Sequence, residues 1–144
     1  MDSDRLEAYI PKLESSFDHV VRVMAAAVAA YQEVAPGPKL SASQIIVLRA
    51  LQSRGALQVS EVAGELTVTL SAATGLVDRL VKAGLAERER DLRDRRVVWV
   101  KITPEGESAL AAALQRRRAA FRNMVRNLSA EDLERLCDIL DRMG

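Results

Sequence analysis

Four arginines, Arg90, Arg93, Arg95 and Arg96, fall within seven residues of one charged segment, LAERERDLRDRRVVWVKIT, from Leu85 to Thr103. Guanidinium groups at that density suit phosphate oxygens or a DNA groove, being permanently charged and presenting several donors in one plane. On the far side of the polar tip, Val98, Val100 and Ile102 alternate with Val97, Trp99 and Lys101, the period of a strand covered on one face. A β-hairpin with an arginine-bearing tip is predicted, the shape of a wing. Taken alone, the same residues also read as a solvated surface hairpin whose Glu87, Glu89, Asp91 and Asp94 offset the arginines. The flanking elements decide between the two.

Little else in the chain could do chemistry. A single histidine, His19, offers no pair for zinc, and a single cysteine, Cys137, excludes an intrachain disulfide and a multi-cysteine metal site. There is no Ser/His/Asp set, no phosphate loop and no pair of carboxylates in a pocket-like setting, so no catalytic residue, metal or cofactor is expected and the chain does not read as an enzyme. Cys137 falls in an apolar helical stripe, where a buried, inert thiol is the expectation.

The 144 residues suit one domain, and 49% hydrophobic with 28% charged residues excludes disorder. Aromatics at 3% leave the core to Leu, Val, Ile and Ala, which favours helices. No apolar run approaches the ~18 residues that span a bilayer, and the start, MDSDRLEAY, is acidic, so a soluble, cytoplasmic protein is expected. The net charge of +1 is unevenly spread: residues 1–35 carry −3, residues 36–102 carry +4, and residues 103–144 are neutral. A nucleic-acid contact surface would lie in the middle third, with the flanks free for another task.

Leu6, Ile10, Leu13, Phe17, Val20, Met24, Val28 and Tyr31 recur at steps of three or four and predict a long amphipathic first helix. Pro11 either begins it, with an extra turn before, or kinks it. APGPKL, Ala35 to Leu40, stops it. Ser41 and Gln44 stand in capping-box spacing ahead of Ile45, Ile46, Leu48 and Leu51, predicting a second helix from Ser41 to Arg54 that stops at Gly55. A third helix, Val59 to Leu66, turns inward through Val62, Ala63 and Leu66, with Gln58 or Ser60 as cap. A fourth, capped by Thr69, reaches Ala83 with Gly84 as left-handed stop, and buries Ala73, Leu76, Val77 and Leu80. Two helices joined by a tight turn make a helix-turn-helix. After the hairpin, Thr103-Pro104-Glu105 starts a fifth helix reaching Arg126. Ser129 with Asp132 caps a sixth, carrying Leu133, Leu136, Cys137, Leu140 and Met143. The fold class is mainly α with a small β-hairpin wing.

Four segments in this order carry a specific resemblance: LSASQIIVLRAL, VSEVAGEL, TLSAATGLVDRLVKAGLAER and DLRDRRVVWVKITPEG. Over nearly its whole length the chain resembles the MarR family of winged helix-turn-helix transcription regulators. The resemblance implies a single domain over 1–144, in which 1–35 and 104–144 supply dimerisation helices and 36–103 form the winged helix-turn-helix DNA-binding lobe. It implies an intertwined homodimer on a pseudo-palindromic double-stranded DNA operator, with repression the usual outcome. The fourth helix would enter the major groove. A wing arginine in an Asp-x-Arg pattern, matched here by Asp94 and Arg96, would enter the minor groove, with Arg93 and Arg95 next in line for the tip or the phosphates.

The exposed front of the fourth helix is expected to be Thr69, Leu70, Ser71, Ala72, Thr74, Gly75, Asp78 and Arg79. Ser71 and Thr74 can hydrogen-bond bases or phosphates, and Leu70 and Ala72 can lie against thymine methyls. Gly75 permits close backbone approach or serves a packing contact; Arg79 meets phosphate, supports the wing or pairs with Asp78. Relatives in this family often carry a long polar or basic side chain near positions 70 and 75. With Leu70 and Gly75 there, more of the affinity falls to the wing and to Lys39, Arg49, Arg54, Lys82, Arg88 and Lys101. Arg116, Arg117, Arg118, Arg122 and Arg126 read more plainly as a helical surface pairing with acids of the first and sixth helices than as a second DNA site. The family's small aromatic or anionic effectors make His19, Arg22, Met24, Tyr31 and Trp99 candidate lining residues, with core or surface packing as the competing role for each. The alternative from another class is a winged-helix protein-interaction module with little DNA affinity.

Overall fold

The computed structural model describes residues 3–32 and 35–143. The element order is α1 (Ser3–Ala30), α2 (Ala42–Arg54), α3 (Val59–Leu66), α4 (Leu70–Lys82), β1 (Ala86–Arg90), β2 (Val98–Ile102), α5 (Pro104–Val125) and α6 (Ala130–Met143). The chain divides into two compact units, one made of residues 1–35 and 115–144, the other of residues 36–114.

Local chemistry sets most boundaries of the second unit. Ser41 caps α2 reciprocally with Gln44: the Gln44 N–H donates to Ser41 Oγ and the Ser41 N–H to Gln44 Oε1. The Gln58 N–H donates to Glu61 at the start of α3, and Thr69 Oγ1 accepts from the Ala72 N–H at the start of α4. Gly55 and Gly84, with φ of 82° and 74°, provide the left-handed turns after α2 and α4. Thr67, which joins α3 to α4, takes φ 53° although β-branched, so the tight turn is held against its own local preference.

The core of this unit is aliphatic. Val47, Leu48 and Leu51 of α2, Val62 of α3, and Ala73, Leu76, Val77 and Leu80 of α4 pack with Leu85, Val100, Ala109 and Leu110. Ile46 is not among them: it is 45% exposed, while its neighbour Val47 is buried. At about 100° per residue Ile46 lies roughly 160° from Leu48, whereas Val47 shares a face with Leu51. The strands β1 and β2 pair antiparallel, with Ala86 opposite Ile102 and Arg90 opposite Val98. Leu57 adds a third, single-residue rung, exchanging both backbone hydrogen bonds with Val100.

In the first unit α1 runs unbroken through Pro11, which removes one helical hydrogen bond, the one to the carbonyl of residue 7, without ending the helix. No residue of α1 or α6 is buried. The apolar stripe of α1 is on the surface at Leu6, Tyr9, Ile10, Leu13, Phe17 and Val20, as is that of α6 at Leu136, Ile139, Leu140 and Met143. Cys137 is exposed as well, correcting the expectation of a buried thiol: its stripe has no covering partner among the described residues. Among the described residues no helix is long and apolar enough to cross a membrane.

Gly106, in the first turn of α5, lies hard against the backbone of Leu85. A Cβ there would stand 2.0 Å from the Leu85 carbonyl oxygen and 2.8 Å from Ile102 Cγ1, while one on Gly64 in α3 would meet nothing within 4 Å. Gly106→Ala is therefore expected to cost about 1–3 kcal/mol by overpacking, and Gly64→Ala to add about 0.5–1 kcal/mol through helix propensity. Equilibrium urea unfolding of the two variants checks both signs; equal midpoints would refute the packing account.

Candidate nucleic-acid interface

The exposed face of α4 is built by its buried one. With Ala73, Leu76, Val77 and Leu80 turned into the core, the helical period leaves Leu70, Ser71, Ala72, Thr74, Asp78 and Arg79 outside and Gly75 half-exposed, with Thr69 exposed at the cap. Thr74 Oγ1 donates to the Leu70 carbonyl at 2.8 Å, which leaves the hydroxyl oxygen free to accept. Gly75 does not serve a tight internal contact, since a Cβ there would meet only Arg79 Nη1, at 3.7 Å. The Arg79 guanidinium thus lies back along α4 over Gly75, as helical side chains do. Asp78 pairs with Arg88 of β1 at 2.5 Å and not with Arg79, so the pair considered from sequence is replaced by one that braces α4 against the wing.

The wing tip is organised by two aspartates. Asp91 Oδ1 accepts the backbone N–H of Arg93 at 2.8 Å and of Asp94 at 3.0 Å, while Oδ2 accepts the indole N–H of Trp99 at 3.0 Å. This is an Asx turn locked to the returning strand. The Asp94 carboxylate faces Arg96: Oδ1 accepts from Nε at 3.1 Å and Oδ2 from Nη2 at 3.2 Å, and the Arg96 backbone N–H donates to Oδ1. Arg93 and Arg95 are exposed and form no ion pair among the described residues. Sequence reasoning placed Asp94 beside Arg96 but gave Asp91 no specific task and offered Trp99 to an effector. The signal for Asp91 was an aspartate two residues before the backbone N–H it captures.

Other basic residues divide in two. Arg54 is held by Glu61 and Glu65, Arg88 by Asp78, and Lys101 by Glu89. Lys39, Arg49 and Lys82 are exposed without an ion pair among the described residues. Arg116 is not part of a solvated surface: it is 2% exposed and donates to the Ala35 carbonyl. Its spacing with Ala109, Ala113 and Ala120, four, three and four residues, puts it on the buried face of α5. Arg117 instead lies over the Phe121 ring at 5.7 Å.

Of His19, Arg22, Met24 and Tyr31, considered for an effector, Tyr31, just past the end of α1, lines a cavity of about 280 Å³ inside the first unit, with Gln115, Arg118, Ala119 and Arg122, and Met24 does not line it. His19 and Arg22 are exposed on α1 and do not line it. Among the described residues no group of three or more His, Cys, Asp or Glu could hold a metal ion.

The hydrogen bonds from Trp99 and from the Asp94 and Arg93 backbones hold the Asp91 carboxyl below its usual pKa of 3.8. The Arg96 side chain, then its backbone, does the same for Asp94, against a small opposing effect of burial and of Asp91's charge. A carboxylate whose folded pKa is depressed adds order above its unfolded pKa and loses it as pH falls through the lower, folded value. The tip is therefore expected to stay locked down to pH 3.8 and to loosen below it. Trp99, the sole tryptophan, reports this directly. Its emission should shift at acid pH in the wild type, while Asp91→Ala should show the shifted emission already at pH 7.

The model of the MarR family matches residues 40–98, which run from the start of α2 into β2. The chain is 30% identical to the multiple antibiotic resistance protein MarR of Salmonella typhimurium, over 72% of this chain and 73% of that protein. It is 31% identical to the HTH-type transcriptional repressor MdtR of Bacillus subtilis, over 71% and 66%. Among solved structures it is similar to that of Bordetella bronchiseptica BpsR, whose DNA binding is regulated by 6-hydroxynicotinic acid, at 25% identity and a TM-score of 0.64, over 88% and 90% of the two chains. A helix-turn-helix followed by a hairpin wing, carried on residues so matched, makes this chain a member of the MarR family and a DNA-binding transcriptional regulator.

Proposed function

We propose that the protein is a repressor that binds a pseudo-palindromic operator as a homodimer, with α4 in the major groove and the wing in the minor groove, and that a small aromatic or anionic effector releases it. The observation that carries the reading is Arg96, a guanidinium 90% exposed at the end of the wing yet held by both oxygens of Asp94. An arginine fixed in this way reaches a groove with little further loss of rotamer freedom, and it is less hydrated than lysine, which favours entry where narrowing concentrates negative potential. Thr69, Leu70, Ser71, Ala72, Thr74, Gly75 and Arg79 supply the α4 contacts, and Arg93, Asp94, Arg95 and Arg96 the wing's.

The exposed apolar faces of α1 and α6 support the homodimer, because stripes of this length are stable in water only when covered, and a second copy offers the same surface. The repressor's name carried by the relative MdtR supports the sign of regulation. The effector class rests on the cavity beside Tyr31, whose lining includes Arg118 and Arg122, and on the aromatic acid that regulates BpsR. Titrating aromatic carboxylates against the protein–DNA complex tests it, and release by none of them removes the effector from the reading.

Arg96→Ala is expected to weaken operator binding by at least ~1 kcal/mol with the dimer intact. Unchanged affinity in a salt-controlled anisotropy titration would sink the wing assignment. The wild type should lose affinity with salt at a log–log slope near −0.9 per phosphate neutralised; a flat response would favour the protein-module alternative. Phe17→Glu, a charge in the middle of the α1 stripe, is expected to shift the mass in sedimentation equilibrium from dimer toward monomer.

A further inference from the structure

Leu92 is the most exposed large apolar side chain among the described residues, at 96%. It occupies the wing tip between Asp91 and Arg93, and its exposure is imposed by the backbone on both sides. The Asp91 N–H donates to the Val97 carbonyl at 3.0 Å, and Asp91 Oδ1 takes the N–H groups of Arg93 and Asp94. Leu92 is thus held out at the apex of a closed turn, where it cannot fold back onto the core.

Its surroundings name what it fits. Arg90, Arg93, Arg95 and Arg96, all within four residues of it along the chain, are exposed, while the oxygens of Asp91 and Asp94 are engaged by the wing's own donors. An apolar knob on a turn rich in exposed arginine is complementary to a narrow, anionic cleft with apolar walls. The minor groove of DNA is such a cleft, about 6 Å wide, and leucine is among the side chains that wedge into it.

We propose that Leu92 is a specificity residue that enters the minor groove beside Arg96 and excludes G·C pairs beneath the wing. Guanine's 2-amino group projects into the groove floor, where an A·T pair presents only acceptors and leaves room for the leucine. This rests on the wing entering the minor groove, as proposed above.

The test uses the full-length protein and a duplex it selects from a random pool, with the A·T pairs under the wing replaced by G·C or by inosine·C. Inosine lacks the 2-amino group, so an inosine·C pair looks like A·T from the minor groove and like G·C from the major groove. The wild type should bind the inosine·C duplex like the A·T one and the G·C duplex about tenfold more weakly per pair. Leu92→Ala, an exposed position whose loss leaves the fold intact, should bring that ratio below about threefold. A wild type that binds G·C and inosine·C alike, or a Leu92→Ala protein that keeps the full ratio, overturns the proposal. In either case Arg96→Ala says which reading has failed: if it is weakened, the wing assignment stands and only Leu92's role falls; if it binds like the wild type, both fall.

Discussion

The pairing of Leu57 with Val100 holds the DNA-binding unit together. Both side chains are fully buried, and the two backbones exchange N–H to carbonyl bonds of 3.0 and 2.8 Å in the core between the helices and the hairpin. A two-stranded hairpin is marginal in water by itself. Here β2 gains a third rung on one side and an aliphatic floor on the other, and only on such a base can β1 and the tip be presented as a fixed shape. Asp78 with Arg88 adds a second tie from α4. The wing and the helix-turn-helix are therefore one body, not a domain with an appended loop.

On that base the tip resolves a conflict between charge and order. Four arginines in seven residues repel one another, and a turn built only from them would be an ensemble. Asp91 and Asp94 are placed where each carboxylate collects several donors: Asp91 takes two backbone N–H groups and an indole, Asp94 a guanidinium and a backbone N–H. The acids thus spend their charge on shape, and the guanidinium surfaces of Arg93, Arg95 and Arg96 remain outside. The first unit has the opposite character. It keeps a few buried groups, Ala35, Arg116 and Ala120, and leaves the long faces of α1 and α6 uncovered.

Much of this was legible in the sequence, because caps and periodicity act locally. Ser41 with Gln44, Thr69, Thr103 and Ser129 with Asp132 mark helix starts within one or two residues, and the alternation of β2 marks the strand. What was not legible depends on information that is not local. Ile46 and Val47 are both apolar and adjacent, and only the direction of the core decides which one is buried. Arg116 reads as surface by type, and its burial follows from alanines on one helical line that make room for its stem. Cys137 reads as buried by pattern, but the pattern assumed a cover that the single chain does not supply. Asp91 reads as a neutralising charge because its main partner, Trp99, is reached only when the hairpin closes.

The difference between local and distant signals also orders how the second unit forms. The caps of α2, α3 and α4, and the brace of Arg54 on Glu61 and Glu65, join residues at most eleven apart, so these helices can nucleate and dock while the rest of the chain is unfolded. Leu57 must find Val100 across the whole of α3, α4 and the hairpin, a closure whose entropy is spent before any core contact with β2 repays it. The start of α4 is thus set by a contact three residues long, and the base of the wing by one that spans most of the unit. Opening the Leu57–Val100 pairing would leave the caps of α4 in place while removing the rung on which the tip is held.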